Sequence, residues 1–128
     1  MTRVLIVDDE LPIRELLRTA FQTRGYEVAE ADNGETALAQ YAAFKPSVIV
    51  IDLIMPGMEG IEAIRHLRKT DSEVHIIALS GGGNLGFVDY LKYAEQLGAD
   101  LAMSKPIALK ELLGNVAKLL SEGQPAAG

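Results

Sequence analysis

Four apolar runs in this 128-residue chain each end in a side chain with chemistry to offer. Val4-Leu5-Ile6-Val7 leads into Asp8-Asp9, and Val48-Ile49-Val50-Ile51 into Asp52. Ile76-Ile77-Ala78-Leu79 leads into Ser80, and Leu101-Ala102-Met103-Ser104 into Lys105-Pro106. Carboxylates, a hydroxyl and an ammonium together suit a divalent cation and a phosphoryl group. Neighbouring carboxylates such as Asp8 and Asp9 repel unless a cation lies near, and a hard ion such as Mg²⁺ takes oxygen ligands. Asp9 and Asp52 are therefore expected as direct ligands, Asp8 through water, and the backbone carbonyl of Ile54 as the last protein share, with Mn²⁺ as an alternative ion. Asp52 is also a candidate nucleophile, because carboxylates form acyl phosphates. Lys105 would pair with phosphoryl oxygens as a point charge, and Ser80 would hydrogen-bond one of them.

Taken singly, each residue has a plainer account. Asp52 reads as a turn or cap residue, and Asp8-Asp9-Glu10 as the acidic first turn of a helix. Ser80 before three glycines is a loop, and Lys105 before proline a solvated lysine. What lifts the set above these accounts is that four independent strand ends agree.

The elements that must position them alternate. Short β-branched runs separated by helix-period segments read as buried parallel strands. Ile13, Leu16, Leu17, Ala20 and Phe21 recur at helix spacing, with Pro12 suited to the first turn and Gly25 to the stop. A short strand over Glu27–Glu30 follows, then Asp32-Asn33-Gly34 as a turn and cap, with Ala37, Leu38 and Tyr41 facing inward. Ile61, Ile64 and Leu67 mark a third helix, and Phe87, Leu91, Ala94 and Leu97 a fourth that Gly98 ends. Leu109, Leu112, Leu113, Val116, Ala117 and Leu120 form the last stripe. Five βα units with right-handed crossovers make an α/β, doubly wound, three-layer α/β/α domain. In such open sheets ligands bind at the carboxyl ends of the strands. The domain is expected over 1–121, with 122–128 a small, polar, flexible tail.

The bulk numbers narrow the class. One domain with one core fits this length. No stretch approaches the roughly 20 apolar residues of a membrane span, and no signal peptide fits Met1-Thr2-Arg3. The chain has no cysteine, which removes disulfides and thiolate metal sites and makes a cytoplasmic location the simplest expectation. A net charge of −6 argues against direct nucleic-acid binding. His66 and His75 lack a second ligand at metal spacing and are expected as a solvated helix residue and a packing or edge residue.

At these residues the chain resembles the receiver domain of two-component response regulators, in a single-domain form similar to the chemotaxis regulator. The resemblance runs from Arg3 to Leu120. It rests on Val7-Asp8-Asp9-Glu10, the run Asp52-Leu53-Ile54-Met55-Pro56-Gly57-Met58-Glu59-Gly60, Ser80-Gly81, Gly98-Ala99-Asp100 and Lys105-Pro106. It implies a flavodoxin-like five-stranded parallel sheet of order 2-1-3-4-5. It implies Asp52 as phosphoacceptor, Asp8 and Asp9 holding Mg²⁺ with it, Ser80 as the switch hydroxyl and Lys105 on the phosphoryl group. It also implies a cis peptide at Lys105-Pro106, a bond type that X–Pro tolerates. The implied partner is a histidine kinase or a histidine phosphotransfer protein, with an unknown downstream target. Family members often dimerise through the fourth and fifth units, which keeps a homodimer open.

Three features depart from the family pattern. The position three before the lysine, where an aromatic ring often swings inward, is Ala102. The Ser80–Gly98 stretch is a few residues long for the family and carries Phe87, Tyr90 and Tyr93, as core packing or as an exposed aromatic patch. Ile54 and Gly82, two beyond Asp52 and Ser80, offer no side-chain group to orient water and are expected to tune dephosphorylation by shielding and access. The rival function is an Mg²⁺-dependent phosphohydrolase or phosphotransferase with an aspartate nucleophile and a small substrate. The dehalogenase type of that class needs a second Asp where Ile54 stands, and no cap insertion is present to enclose a substrate. An interaction domain that is never phosphorylated is the third reading, and the intact acidic set speaks against it.

Overall fold

The β-branched runs lie side by side as a parallel sheet of five strands in the order β2-β1-β3-β4-β5. The strands are β1 (Arg3–Val7), β2 (Glu27–Ala31), β3 (Val48–Asp52), β4 (His75–Ser80) and β5 (Leu101–Ser104). The helices are α1 (Leu11–Thr23), α2 (Gly34–Phe44), α3 (Gly60–Thr70), α4 (Phe87–Leu97) and α5 (Leu109–Glu122). The computed structural model describes residues 2–53, 55, 60–80 and 87–122, with side chains throughout except at 87–91.

The period-2 rule explains why the central strands are apolar at every position between their polar ends. Val4, Ile6, Val48, Val50, Ile77 and Leu79 pack on one face with Leu17 and Phe21 of α1 and Leu112, Leu113 and Val116 of α5. Their neighbours Leu5, Val7, Ile49, Ile51, Ile76 and Ala78 pack on the other, with Ala37 of α2, Ala63, Ile64 and Leu67 of α3 and Ala94 of α4. A sheet covered on both faces needs apolar residues at both parities. Each fully buried Leu, Ile or Val contributes about 1.5–3 kcal/mol, so these two layers dominate stability and fix where the strands end.

Local signals close the helices. Asn33 accepts from the Thr36 N–H at 2.8 Å and caps α2. Pro12 sits in the first turn of α1. Gly25 and Gly98 take φ of +91° and +125° at helix ends, where a Cβ would be strained. Two expectations need correcting. Leu16 is 46% exposed, and Ala117 is also exposed; each lies at the margin of its helix's apolar stripe, where spacing alone cannot tell edge from centre. Ser121 and Glu122 are still helical in α5, so the helix takes in the first residue of the expected tail.

At the amino-terminal edge of the sheet, Arg68 ties three elements together. It donates to the carbonyls of Val74 at 2.6 Å, Gly98 at 2.9 Å and Asp71 at 3.1 Å. It also pairs with Asp100, whose carboxylate accepts from the Ile76 N–H at 2.7 Å. His75 opens β4 with Nδ1 3.7 Å from the same carboxylate, and His66 is exposed on α3. Beside them the Tyr41 hydroxyl of α2 donates to the Asp71 carboxylate.

That last bond sets a pH window. The hydrogen bond from Tyr41, opposed by burial and aided by the N–H groups of Glu73 and Val74, holds Asp71 below its ordinary 3.8. The same bond, with burial, pushes Tyr41 up to about 12. A lowered carboxyl stabilises the fold above its unfolded value and loses that contribution as pH falls through the folded one. A raised phenol stabilises below its unfolded value and loses the contribution as pH rises through the folded one. Tyr41→Phe should therefore cost about 1 kcal/mol at pH 7, the low end for a part-exposed bond to a charge. In urea melts across pH, the difference from wild type should fade below the ordinary Asp71 value of 3.8 and between the Tyr41 values of 10.0 and about 12.

Candidate functional site

Because the strands are parallel, their carboxyl ends share one edge. Asp52 is the last residue of β3 and Ser80 the last of β4, while Asp8 follows β1 and Lys105 follows β5. Register carries the alignment across: Val7 pairs with Ile51, Asp52 with Leu79, and Ser80 with Ser104. The groups so gathered are buried, with Asp8 and Ser80 at 0% and Asp52 at 4% exposure.

One ammonium joins them. Lys105 Nζ donates to Asp8 Oδ2 at 2.9 Å and to Asp52 Oδ2 at 3.2 Å. It also lies 3.5 Å from the exposed carboxylate of Glu10. Burial works against the charged lysine, but the Asp8 hydrogen bond and the charges of Asp52 and Asp8 outweigh it, so its pKa is raised above 10.5. The peptide leading into Pro106 is cis. Asp8 is held on its other oxygen as well, Oδ1 accepting from the Glu10 N–H at 2.9 Å.

The donor set fits a hard cation. Carboxylate oxygens of Asp8, Asp9 and Glu10 lie within 4.8 Å of one another, the first residue buried and the other two exposed. Asp52 stands across the Lys105 ammonium from Asp8. One ammonium against the four carboxylates of Asp8, Asp9, Glu10 and Asp52 leaves the edge negative, and all-oxygen donors are what Mg²⁺ takes. Glu10 enters this group although sequence reasoning assigned it to a helix's first turn; its place beside Asp8-Asp9 was the available signal. Ser80 adds a polar need of its own, since its buried Oγ has no hydrogen-bond partner among the described residues.

Gly60, which the sequence offers only as the end of the Asp52–Gly60 run, has a role of its own. A Cβ there would lie 2.0 Å from the Asp52 carbonyl oxygen and 2.8 Å from Leu53 Cα. The Gly60 N–H donates to the Leu53 carbonyl at 2.9 Å. Only glycine lets α3 start against the backbone that carries Asp52. Ala102 is partly buried on β5, paired with Ala78 and packed on the α2–α3–α4 face. Tyr93 is 44% exposed. Ile54, Gly82 and the side chains of Phe87 and Tyr90 lie outside the described residues.

Residues 4–117 match the family model of the response regulator receiver domain. The chain is 36% identical over 126 residues to the response regulator MprA of Mycolicibacterium vanbaalenii, covering 98% of this chain and 53% of that protein. The MprA of Mycobacterium leprae is 36% identical over 123 residues, covering 96% and 53%. The chain thus spans about half the length of the curated relatives it matches. Among solved structures, the receiver domain of the Francisella response regulator 1452 superposes with a TM-score of 0.87 at 28% identity, over 97% of this chain and all of that one. A receiver domain protein, CheY-like, from Methanospirillum hungatei JF-1 gives 0.88 at 27% identity, over 96% of each. The chain belongs to the response regulator receiver domain family of two-component systems. Among the described residues, no helix is long and apolar enough to cross a membrane.

Two substitutions test the geometry. Lys105→Met should cost about 3 kcal/mol in metal-free urea unfolding, because it removes the ammonium that the buried Asp8 and Asp52 carboxylates share. A raised lysine stabilises below its unfolded value, so this cost should hold at neutral pH and disappear as pH climbs through its folded value above 10.5. Gly60→Ala should cost about 3 kcal/mol by the same measurement, since a new Cβ meets backbone rather than a yielding side chain.

Proposed function

We propose that the chain is a phosphoryl acceptor whose nucleophile is Asp52. A carboxylate oxygen of Asp52 attacks the phosphorus of a phosphohistidine on a histidine kinase or histidine phosphotransfer protein. The new O–P bond forms as the P–N bond breaks, and the imidazole nitrogen keeps the electron pair. The observation that carries this reading is a buried Asp8–Lys105–Asp52 triad beside a buried serine hydroxyl without a partner among the described residues. Mg²⁺, or Mn²⁺ in its place, held by Asp8, Asp9, Asp52 and the Ile54 carbonyl, neutralises phosphoryl oxygens when bound. The Lys105 ammonium, already 3.2 Å from Asp52, turns to a phosphoryl oxygen. The Ser80 hydroxyl donates to another and gains the partner it needs.

Moving Ser80 and Lys105 biases the ends of β4 and β5 and the helix between them, a two-state surface of the kind that charge addition shifts. Ala102 has no rotamer to switch, so output runs without an aromatic rotor at that position. Ile54 and Gly82 set the lifetime by shielding the acyl phosphate and admitting water. The functional domain is taken as 1–121 with 122–128 as tail or linker, working in the cytoplasm. The signal passes to a protein partner, through a relay, or through a further domain of a longer chain. A neighbour at 27% identity is a beryllofluoride-activated NtrC4 receiver domain dimer, which supports an activated state and pairing of two copies for this fold.

Intact mass after incubation with Mg²⁺ and acetyl phosphate tests the reading. Wild type should gain one phosphoryl group and Asp52→Asn none. A folded wild-type chain that gains nothing from acetyl phosphate, nor from a panel of phosphorylated histidine kinases and phosphotransfer proteins, would overturn it.

A further inference from the structure

Every polar group of Asp8 is held. Its N–H donates to the Ala31 carbonyl at 3.1 Å, and its two carboxylate oxygens meet the Glu10 N–H and the Lys105 ammonium. Its carbonyl accepts from Arg14 Nη1 at 2.7 Å. That carbonyl belongs to the peptide plane joining Asp8 to Asp9. The aim of the exposed Asp9 carboxylate depends on how this plane is turned.

Arg14 is itself fixed from behind. Its Nε donates to Glu30 Oε1 on β2 at 3.3 Å, and its side chain is 16% exposed. Arg18, one turn along α1, holds the other Glu30 oxygen at 2.5 Å. Glu30 thus offsets the guanidinium charge while locking its direction. What Arg14 brings to the acidic edge is a rigid donor more than a positive charge, and a lysine lacks that planar fork.

We infer that Arg14, locked by Glu30, is a positioning residue that sets the Asp8–Asp9 peptide plane for cation binding. The inference rests on the Mg²⁺-dependent reading above and adds to it two residues remote from the phosphoryl group. Groups that orient metal ligands typically govern affinity by 10–100-fold.

The test is isothermal titration calorimetry of Mg²⁺ on the unphosphorylated chain, paired with acetyl phosphate uptake across Mg²⁺ concentrations. Arg14→Met should weaken Mg²⁺ about tenfold and raise the half-saturating Mg²⁺ for uptake in parallel, while the saturated rate falls far less. Arg14→Lys should fail to restore the affinity, and Glu30→Gln, which frees the guanidinium without removing it, should weaken it by an intermediate factor. A merely structural role would lower the melting temperature and leave affinity in the folded protein unmoved. Unchanged Mg²⁺ affinity in folded Arg14→Met, or in Glu30→Gln should the first variant not fold, overturns this inference alone. A wild-type chain that binds no Mg²⁺ overturns it together with the functional reading.

Discussion

The contact on which the site depends is the Lys105 ammonium between Asp8 and Asp52. Two carboxylates this buried repel at short range and would each lose hydration. A single ammonium answers both difficulties, since charge-assisted hydrogen bonds at 2.9 and 3.2 Å replace water. The solution constrains the fold. Lys105 comes from the end of β5 at one edge of the sheet, Asp8 from beyond β1, and Asp52 from β3 between them. Any slip in strand register would pull the ammonium away from at least one carboxylate, and a slip of one residue would also turn every core side chain to the wrong face.

The apolar layers therefore do more than stabilise. Two-sided packing of β1, β3 and β4 pins where each strand stops, and the polar residue just past the last apolar position lands at the same edge. Gly60 extends this control to the loop side, letting the first turn of α3 lie on the Asp52 backbone. At the far edge Arg68 and Asp100 tie α3, β4 and the start of β5 together with partly buried ion pairs and carbonyl contacts. The carboxyl edge carries like charge on one shared cation, whereas the far edge is closed by matched donors and acceptors. Unbalanced charge is thus concentrated where chemistry is proposed.

This asymmetry also explains what was readable beforehand. The alternation of β-branched runs with helix-period segments revealed five βα units, because periods of 2.0 and 3.6 are local. Strand order came from resemblance, since periodicity does not encode which strands are neighbours. Asp8, Asp52, Ser80 and Lys105 were legible because each sits at the boundary of an apolar run. Glu10, Gly60 and Arg14 were not: Glu10 and Arg14 look like ordinary helix-start and helix-surface residues, and the tight approach at Gly60 is to backbone from another element. Leu16 failed for a related reason, as a helix stripe has edges that only the packed sheet defines.

Ser80 is where the same constraint meets the proposed switch. A fully buried hydroxyl lacking a hydrogen bond costs about 1–3 kcal/mol, and its Oγ finds no partner among the described residues. On the proposed reading that partner is the acyl phosphate, whose oxygens accept from Ser80 and from Lys105. The added hydrogen bond would favour the modified arrangement of this edge over the unmodified one. Linkage would make the coupling reciprocal: a partner that prefers the satisfied arrangement would shift the phosphorylation equilibrium toward the modified form. On that same proposed reading, Ala102 offers no aromatic lever, and a partner would read the ends of β4 and β5.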